Sequence, residues 1–419
     1  MKSYPFPDNR GWKAAFSLFL LAMLLLARDS MFTTAVIGFY KAQFCMLGLI
    51  AVLAVAFLLH NRHAWRQLLT DRRLLLMAAA AAVFLVPMAV KGDWQLMYFS
   101  VLLGVLLGIF LSWFSRVEQT AKVYVCLMTA LGAYSVLATY LLRIAPDNGW
   151  FAVPVFRNAK DFEFHNFFLT VVSDSYVKNR NFGIFREPGV YQFFLILALY
   201  LNNDRVRWEK PWQLWTGNVV LAVTMVTTFA TGGFAEMALL AVLLFFDKKW
   251  YRSKPLRVAV VVLAGVVAVA AAYCIARRNA LYWEVYDMLI GKFIWGTDSA
   301  PERMASILLN GQAFLGSPLV GQPLAEVLHA LQNNTSSTMI LLAAFGVLAG
   351  ALHLASWLAL VWKKERCWAV NFCYFGILLL SFNTQNLIAD VFLWMIPMMA
   401  LTEAMEPRLA GKKGGSHGS

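Results

Sequence analysis

The stretch FREPGVYQFFLILALYL, residues 185–201, places two opposite charges, Arg186 and Glu187, at the threshold of an apolar run. Pro188 suits the first turn of a helix, where its missing N–H has no partner to lose. Glu187 complements the positive end of that helix. From Val190 to Leu201 no residue is charged, and the run has no polar face. A helix that is apolar all round is buried in a large core or in a bilayer. The rest of the chain decides which.

The 419 residues are 60% hydrophobic and only 14% charged, with a mean hydropathy of +0.62. Soluble domains run at about 45–50% apolar and about 25% charged. The balance excludes an ordinary soluble enzyme and predicts a polytopic membrane protein. A net charge of +13 would suit a nucleic-acid binder. In so apolar a chain it is better read as cytoplasmic anchoring of the spans, and no nucleic-acid partner is expected. Cys45, Cys126, Cys274, Cys367 and Cys373 form no CxxC pair. They read as small apolar fillers, not as a metal site or a disulfide framework. The first apolar run, Ala14 to Ala27, has no clear small-residue cleavage site after it and reads as a true span.

Twelve apolar segments follow one another: 14–27, 33–59, 74–90, 95–114, 122–142, 188–201, 214–230, 233–246, 257–274, 338–361, 368–382 and 386–402. They predict an all-α fold of about 12 transmembrane helices. Segments 188–201 and 233–246 are shorter than the roughly 20 residues a bilayer needs. Lys and Arg crowd one set of connections, as in Arg62, Arg66, Arg72 and Arg73, or Lys248, Lys249, Arg252 and Lys254. The short connections on the other side hold only Arg28 and Lys91. This asymmetry puts both termini in the cytoplasm and two long loops outside. The expected organisation is N-terminal spans over 1–142, a first outer loop over 143–187, central spans over 188–275, a second outer loop with short helices over 276–337, and C-terminal spans with a cytoplasmic tail over 338–419.

Charges inside spans are costly and mark function or pairing. Lys41 lies in the second segment, Glu236 follows the break Thr231-Gly232-Gly233, and Asp390 follows the polar turn Asn383 to Asn386. All three fall toward the outer side. An outward polar cavity accounts for them, and a simple Lys41–Glu236 pair is the alternative. In the second outer loop, Asp298 to Arg303 reads as a helix start, with Met304, Ile307 and Leu308 on its buried face. Gly316 to Pro323 breaks that helix, and Pro323 opens another. There Glu326 and His329 stand three residues apart, either a carboxylate orienting an imidazole or a plain surface pair. Ala280 to Trp295, rich in Trp and Tyr, reads as an amphipathic helix on the membrane surface.

Four stretches carry a resemblance. NRNFGIFREPGVYQFFL, Asn179 to Leu195, resembles the R-x-x-G-x-F-x-E-P-G element of the bacterial O-antigen and capsule polymerases and their ligase relatives, through Arg180, Gly183, Phe185, Glu187, Pro188 and Gly189. TTFATGGFAEMALL, Thr227 to Leu240, is similar to that family's Ser/Thr-Gly-Gly element between two spans. Pro301 to Pro323 resembles its outer-loop segment of an Arg, a helix and a Gly-x-Gly-like turn, here Gly321-Gln322-Pro323 without the second Gly. Asn333 to Gly350 is similar to the stretch opening the next span, where many ligases carry a His; here the nearest is His329.

The resemblance implies an integral-membrane glycosyltransferase of the GT-C type in the bacterial inner membrane. It would act at the periplasmic face on undecaprenyl-pyrophosphate-linked oligosaccharides as donor and acceptor. It would need no cofactor and no metal, and its working partners would be a chain-length regulator and a flippase. The chemistry needs permanent cations on the leaving diphosphate. Arg180 and Arg303 match the family positions, with Arg186 as a third; Gly232 and Gly233 would add backbone donors. A base must take the proton of the attacking hydroxyl, and His329 and Glu187 are the candidates, with Asp298 and His165 behind them. A polymerase is the first expectation and a ligase of glycan onto lipid A core the second, the missing His favouring the first. A flippase for lipid-linked glycans is the alternative of another class.

Overall fold

A computed structural model of the chain describes residues 10–144, 155–157, 163–173, 180–254, 299–331 and 334–406, with residues 257, 258, 262, 265, 269, 272, 273, 276 and 283 between them. The fold is mostly helical. The helices are α1 (Arg10–Leu25), α2 (Phe39–His60), α3 (Trp65–Leu69), α4 (Arg72–Lys91), α5 (Leu96–Leu111), α6 (Val117–Ile144), α7 (Pro188–Asp204), α8 (Pro211–Thr228) and α9 (Thr231–Asp247). They continue with α10 (Ser299–Gly316), α11 (Leu324–His329), α12 (Ser337–Val361), α13 (Trp368–Phe382) and α14 (Val391–Ala404).

Helices occupy eleven of the twelve apolar segments; the ninth, 257–274, and the expected surface helix at 280–295 fall largely outside the described residues, as does Asp298. Among the described residues, four helices are long and apolar enough to cross a membrane: α2, α4, α6 over Val117–Tyr140, and α12. That is the mark of a membrane protein. The two short segments stay short, as 17-residue helices α7 and α9. The first long loop also carries structure its composition does not announce. Strands β1 (Val155–Arg157), β2 (Glu163–Phe167) and β3 (Thr170–Val172) form an antiparallel meander, with Phe164 and Val171 packed on Met31 and Phe182.

The core runs through α5, α7 and α14, which are buried almost end to end. A Cβ at Gly108 would meet the Met395 carbonyl and the Met398 side chain, so this small residue lets α5 and α14 lie backbone to backbone. The long outer helices turn apolar side chains outward, as Leu59 on α2 and Leu75 on α4 do. Against a hydrocarbon environment those side chains lose nothing by exposure. The described cysteines Cys45, Cys126, Cys367 and Cys373 are exposed and free; they face outward and do not fill the core.

Two helices depart from regularity. At Phe229 the backbone turns left-handed (φ 46°), which ends α8, and the extended Ala230 opens α9. The Thr231-Gly232-Gly233 element therefore forms the first turn of α9 and is not itself the break. Inside α12, Gly346 (φ 80°, ψ −175°) is non-helical and divides the helix in two. Only glycine adopts that conformation without a steric cost.

The end of the bundle where α7 finishes is tied by ions. Asp204 is fully buried and holds Lys363 at 2.9 Å, Lys248 at 3.3 Å and Arg366. Tyr200 donates to it at 2.9 Å. Burial works against the charge of Arg366, but the bond and charge of Asp204 more than offset it, and its pKa rises. This hub fastens α7, α9, α12 and α13 at their basic connections.

Candidate functional site

The opposite end of the bundle gathers most of the residues the sequence singled out. The chain enters α7 along a strand-like path. Ser30 bridges Phe185, the Met31 amide donates to the Ile184 carbonyl at 2.8 Å, and the Arg186 amide donates to the Asp29 carbonyl at 2.9 Å. The corner after α1 thus clamps the Arg186-Glu187-Pro188 step. Glu187 takes the N-cap position of α7 but makes no side-chain cap bond. It accepts instead from Arg186 Nη1 at 3.1 Å, while Arg186 Nε donates to Asp29 Oδ1 at 2.7 Å. Arg186 is therefore engaged by two carboxylates, which weakens its expected role as a third cation on a ligand. Arg28 joins this cluster. Its Nη1 is buried without a hydrogen-bond partner among the described residues. Burial lowers its pKa from the usual guanidinium value; Asp29 and Asp390 oppose the shift, and Arg186 adds to it.

One turn into α7, Gln192 Nε2 donates to Glu236 Oε2 of α9 at 2.7 Å. Glu236 is 4% exposed. A side chain at Gly233 would collide with Gln192 and Met225, so the glycine pair brings the first turn of α9 against α7. Arg303 of α10 is exposed and stands within electrostatic reach of Glu236. Arg180 is half-buried. It directly precedes Asn181, whose amide donates to the Thr227 carbonyl at 2.9 Å and whose side chain reaches Ser135 and Thr227. Arg180 thus directly precedes the residue fastened to the end of α8, and Arg303 acts electrostatically on Glu236 near the start of α9.

α10 is held beside the start of α12 by its polar face, not its apolar one. Met304, Ile307 and Leu308, expected to be buried, are 58%, 44% and 59% exposed. The buried residues are Ser306 and Asn310, which bind Asn334 Oδ1 at 2.6 and 2.7 Å. Periodicity finds an apolar stripe but cannot say whether that stripe faces inward or outward. The network continues across the start of α12. Ser336 Oγ and the Thr338 amide donate to Asn383 Oδ1 at 3.1 and 2.8 Å, and Ser337 Oγ donates to the Gln385 carbonyl at 2.6 Å. The polar turn 383–386 thereby joins the start of α12 to the start of α7, where Gln385 lies against Gly189. Asp390 caps α14 by accepting from the Phe392 amide at 2.8 Å.

Other expected residues stand apart. Lys41 is exposed on α2 and makes no ion pair among the described residues, so it does not pair with Glu236. Its own helix turns it outward, while Gln43 turns inward to Ser100 at 2.9 Å. Glu326 and His329 are both exposed on α11 and share no hydrogen bond or ion pair among the described residues; α11 is a single short turn and leaves the carboxylate free of the imidazole. His165 lies in β2, half-buried, paired with Val155 and Val172. Gln192, Asp29, Ser306 and Asn334 were not singled out from the sequence. Gln192 had one signal: it is the sole amide inside the run 190–201. Among the described residues no cluster of three His, Cys, Asp or Glu could hold a metal.

Comparison of the chain with family models, with curated proteins and with solved structures finds no match in any of the three.

Proposed function

We propose that the chain is a polysaccharide polymerase of the inner membrane, transferring a glycan from undecaprenyl pyrophosphate to a hydroxyl of a lipid-linked repeat unit. What supports this reading is that Arg180 directly precedes Asn181, which is tied to Thr227 at the end of α8, while Arg303, from a separate segment, stands within electrostatic reach of Glu236 near the start of α9. Two permanent cations, one of them exposed, suit a diphosphate leaving group that no metal neutralises. In this reading the Arg186 end faces the periplasm and the Asp204 end the cytoplasm, in keeping with the charge asymmetry of the loops. Glu187 is the better base of the two candidates. Its Oε1 accepts from Arg186, its side chain is 28% exposed, and it sits on a rigid helix end. His329 has no orienting partner among the described residues. The outward apolar face of α10 would meet the polyprenyl chain in the bilayer.

The discontinuity of α12 at Gly346 favours one second reading, a transporter of lipid-linked glycans, since broken helices line many transport sites. A deletion strain separates the readings by mass analysis of its lipid-linked intermediates and surface glycan. Loss of a polymerase leaves single repeat units at the surface. Loss of a ligase leaves surface lipid without glycan, and loss of a flippase holds the repeat unit on the cytoplasmic leaflet.

A further inference from the structure

The break in α12 is filled by another part of the chain. Residues 317–322 run into it, and each half-helix finds a partner there. The Val347 amide, freed by the break, donates to the Pro318 carbonyl at 2.8 Å. The Gln322 amide donates to the Ala343 carbonyl at 2.7 Å. Gly321 (φ 71°) lies with its backbone against Ala344, and any side chain at Gly346 would strike the Leu319 carbonyl. Such irregular backbone survives in an apolar setting only when its polar groups are met by protein.

One carbonyl of the break is met by a charge. Lys91, the last residue of α4, sends its Nζ to the carbonyls of Ala344 and of Gln322, the latter at 3.1 Å, and to Tyr98 Oη at 3.3 Å. The ammonium also lies over the rings of Tyr98 and Phe345. Asp93 completes the knot: it accepts from Tyr98 Oη at 2.8 Å, and the Leu324 amide donates to both, at 2.8 and 2.9 Å. Lys91 thus binds both walls of the break, α12 through Ala344 and the inserted segment through Gln322.

We propose that Lys91 is a positioning residue, a cationic pin that holds residues 317–322 inside the break of α12 and thereby fixes α10, with Arg303, against the bundle. The geometry supports this directly. The inserted segment begins at the last turn of α10, so slack at Gln322 becomes displacement of the helix upstream. An ammonium with three donors is the side-chain group that can satisfy several converging oxygens at once. The proposal goes beyond the glycosyltransferase reading and does not depend on it.

Hydrogen exchange on the full chain in nanodiscs tests it without any substrate. In Lys91→Met the amides of Gln322 and Val347 are expected to exchange at least about tenfold faster than in the wild type, as a locally opened segment does. Lys91→Cys should behave alike, and aminoethylation with 2-bromoethylamine, which rebuilds an ammonium at that position, should restore protection; the wild type treated in the same way is the control. Exchange at the wild-type rate in Lys91→Met, or no recovery on aminoethylation, overturns the proposal. Where neither variant folds, amine footprinting of the wild type decides. Acetylation of Lys91 is then expected to be slower than that of Lys364, exposed in the connection between α12 and α13, by about tenfold or more, and equal labelling overturns the pin.

Discussion

Gln192 of α7 and Glu236 of α9 are joined at 2.7 Å inside the bundle, one helical turn from the Glu187-Pro188 step. The bond fixes the start of α9 against α7 and holds the carboxyl that Arg303 reaches electrostatically. Gln192→Leu would leave a buried carboxylate without its donor. The expected loss is about 2 kcal/mol, the scale of a hydrogen bond to a charged group, read as a lower thermal midpoint in detergent. Glu236→Gln should cost less, since its amide oxygen still accepts from Gln192.

Glu187 and His329 differ in what surrounds them, and that difference makes a test. Glu187→Gln is expected to slow glycan transfer at least about 100-fold, the usual worth of a positioned base. His329→Ala, on the exposed side of α11, is expected to keep the wild-type order of magnitude. Transfer rates on lipid-linked repeat units, with folded yield checked by size exclusion, distinguish the two.

Gly346 is the point where α12 gives way to the inserted loop. Gly346→Ala adds a methyl group that must enter the Leu319 carbonyl, in a backbone conformation that non-glycine residues resist. A destabilisation of at least about 2 kcal/mol is expected. Gly376 of α13, with open space around its Cβ position, is the control, and Gly376→Ala should leave the thermal midpoint unchanged or raised.

At the other end, Asp204 holds three cations from a fully buried site. Asp204→Asn removes the charge and leaves Lys363 and Arg366 without their common partner. A loss of about 3 kcal/mol or more is expected, seen in thermal unfolding. Transfer chemistry in the surviving folded fraction should persist, because the hub lies at the opposite end of α7 from Glu187.

Much of the fold could be read from the sequence, because a run such as Val190 to Leu201, apolar on every face, has to form a buried helix. The start of α7 was equally legible, since Pro188 opens it, whereas Asp390, read as a charge inside a span, instead caps α14. The site was legible where a charge interrupts an apolar run, as at Glu236. It was illegible where partners come from far along the chain. Nothing local to Asp29 announces Arg186, and nothing in Asn334 announces Ser306 and Asn310. The burial of α10 was inverted for a physical reason. Periodicity reports which residues share a face, but in a bilayer the apolar face can be the outer one. The Gly346 break was hidden too, since glycine inside a span is common and the loop that fills it lies upstream.

Reconstitution of the purified chain with lipid-linked repeat units alone tests the central claim most directly. A ladder of lengthening glycans is expected from the wild type, and none from Arg180→Ala or Arg303→Ala when both variants elute as folded protein. Full-length ladders from both variants would contradict the account, and so would a wild type that makes no ladder yet moves the repeat unit across the membrane.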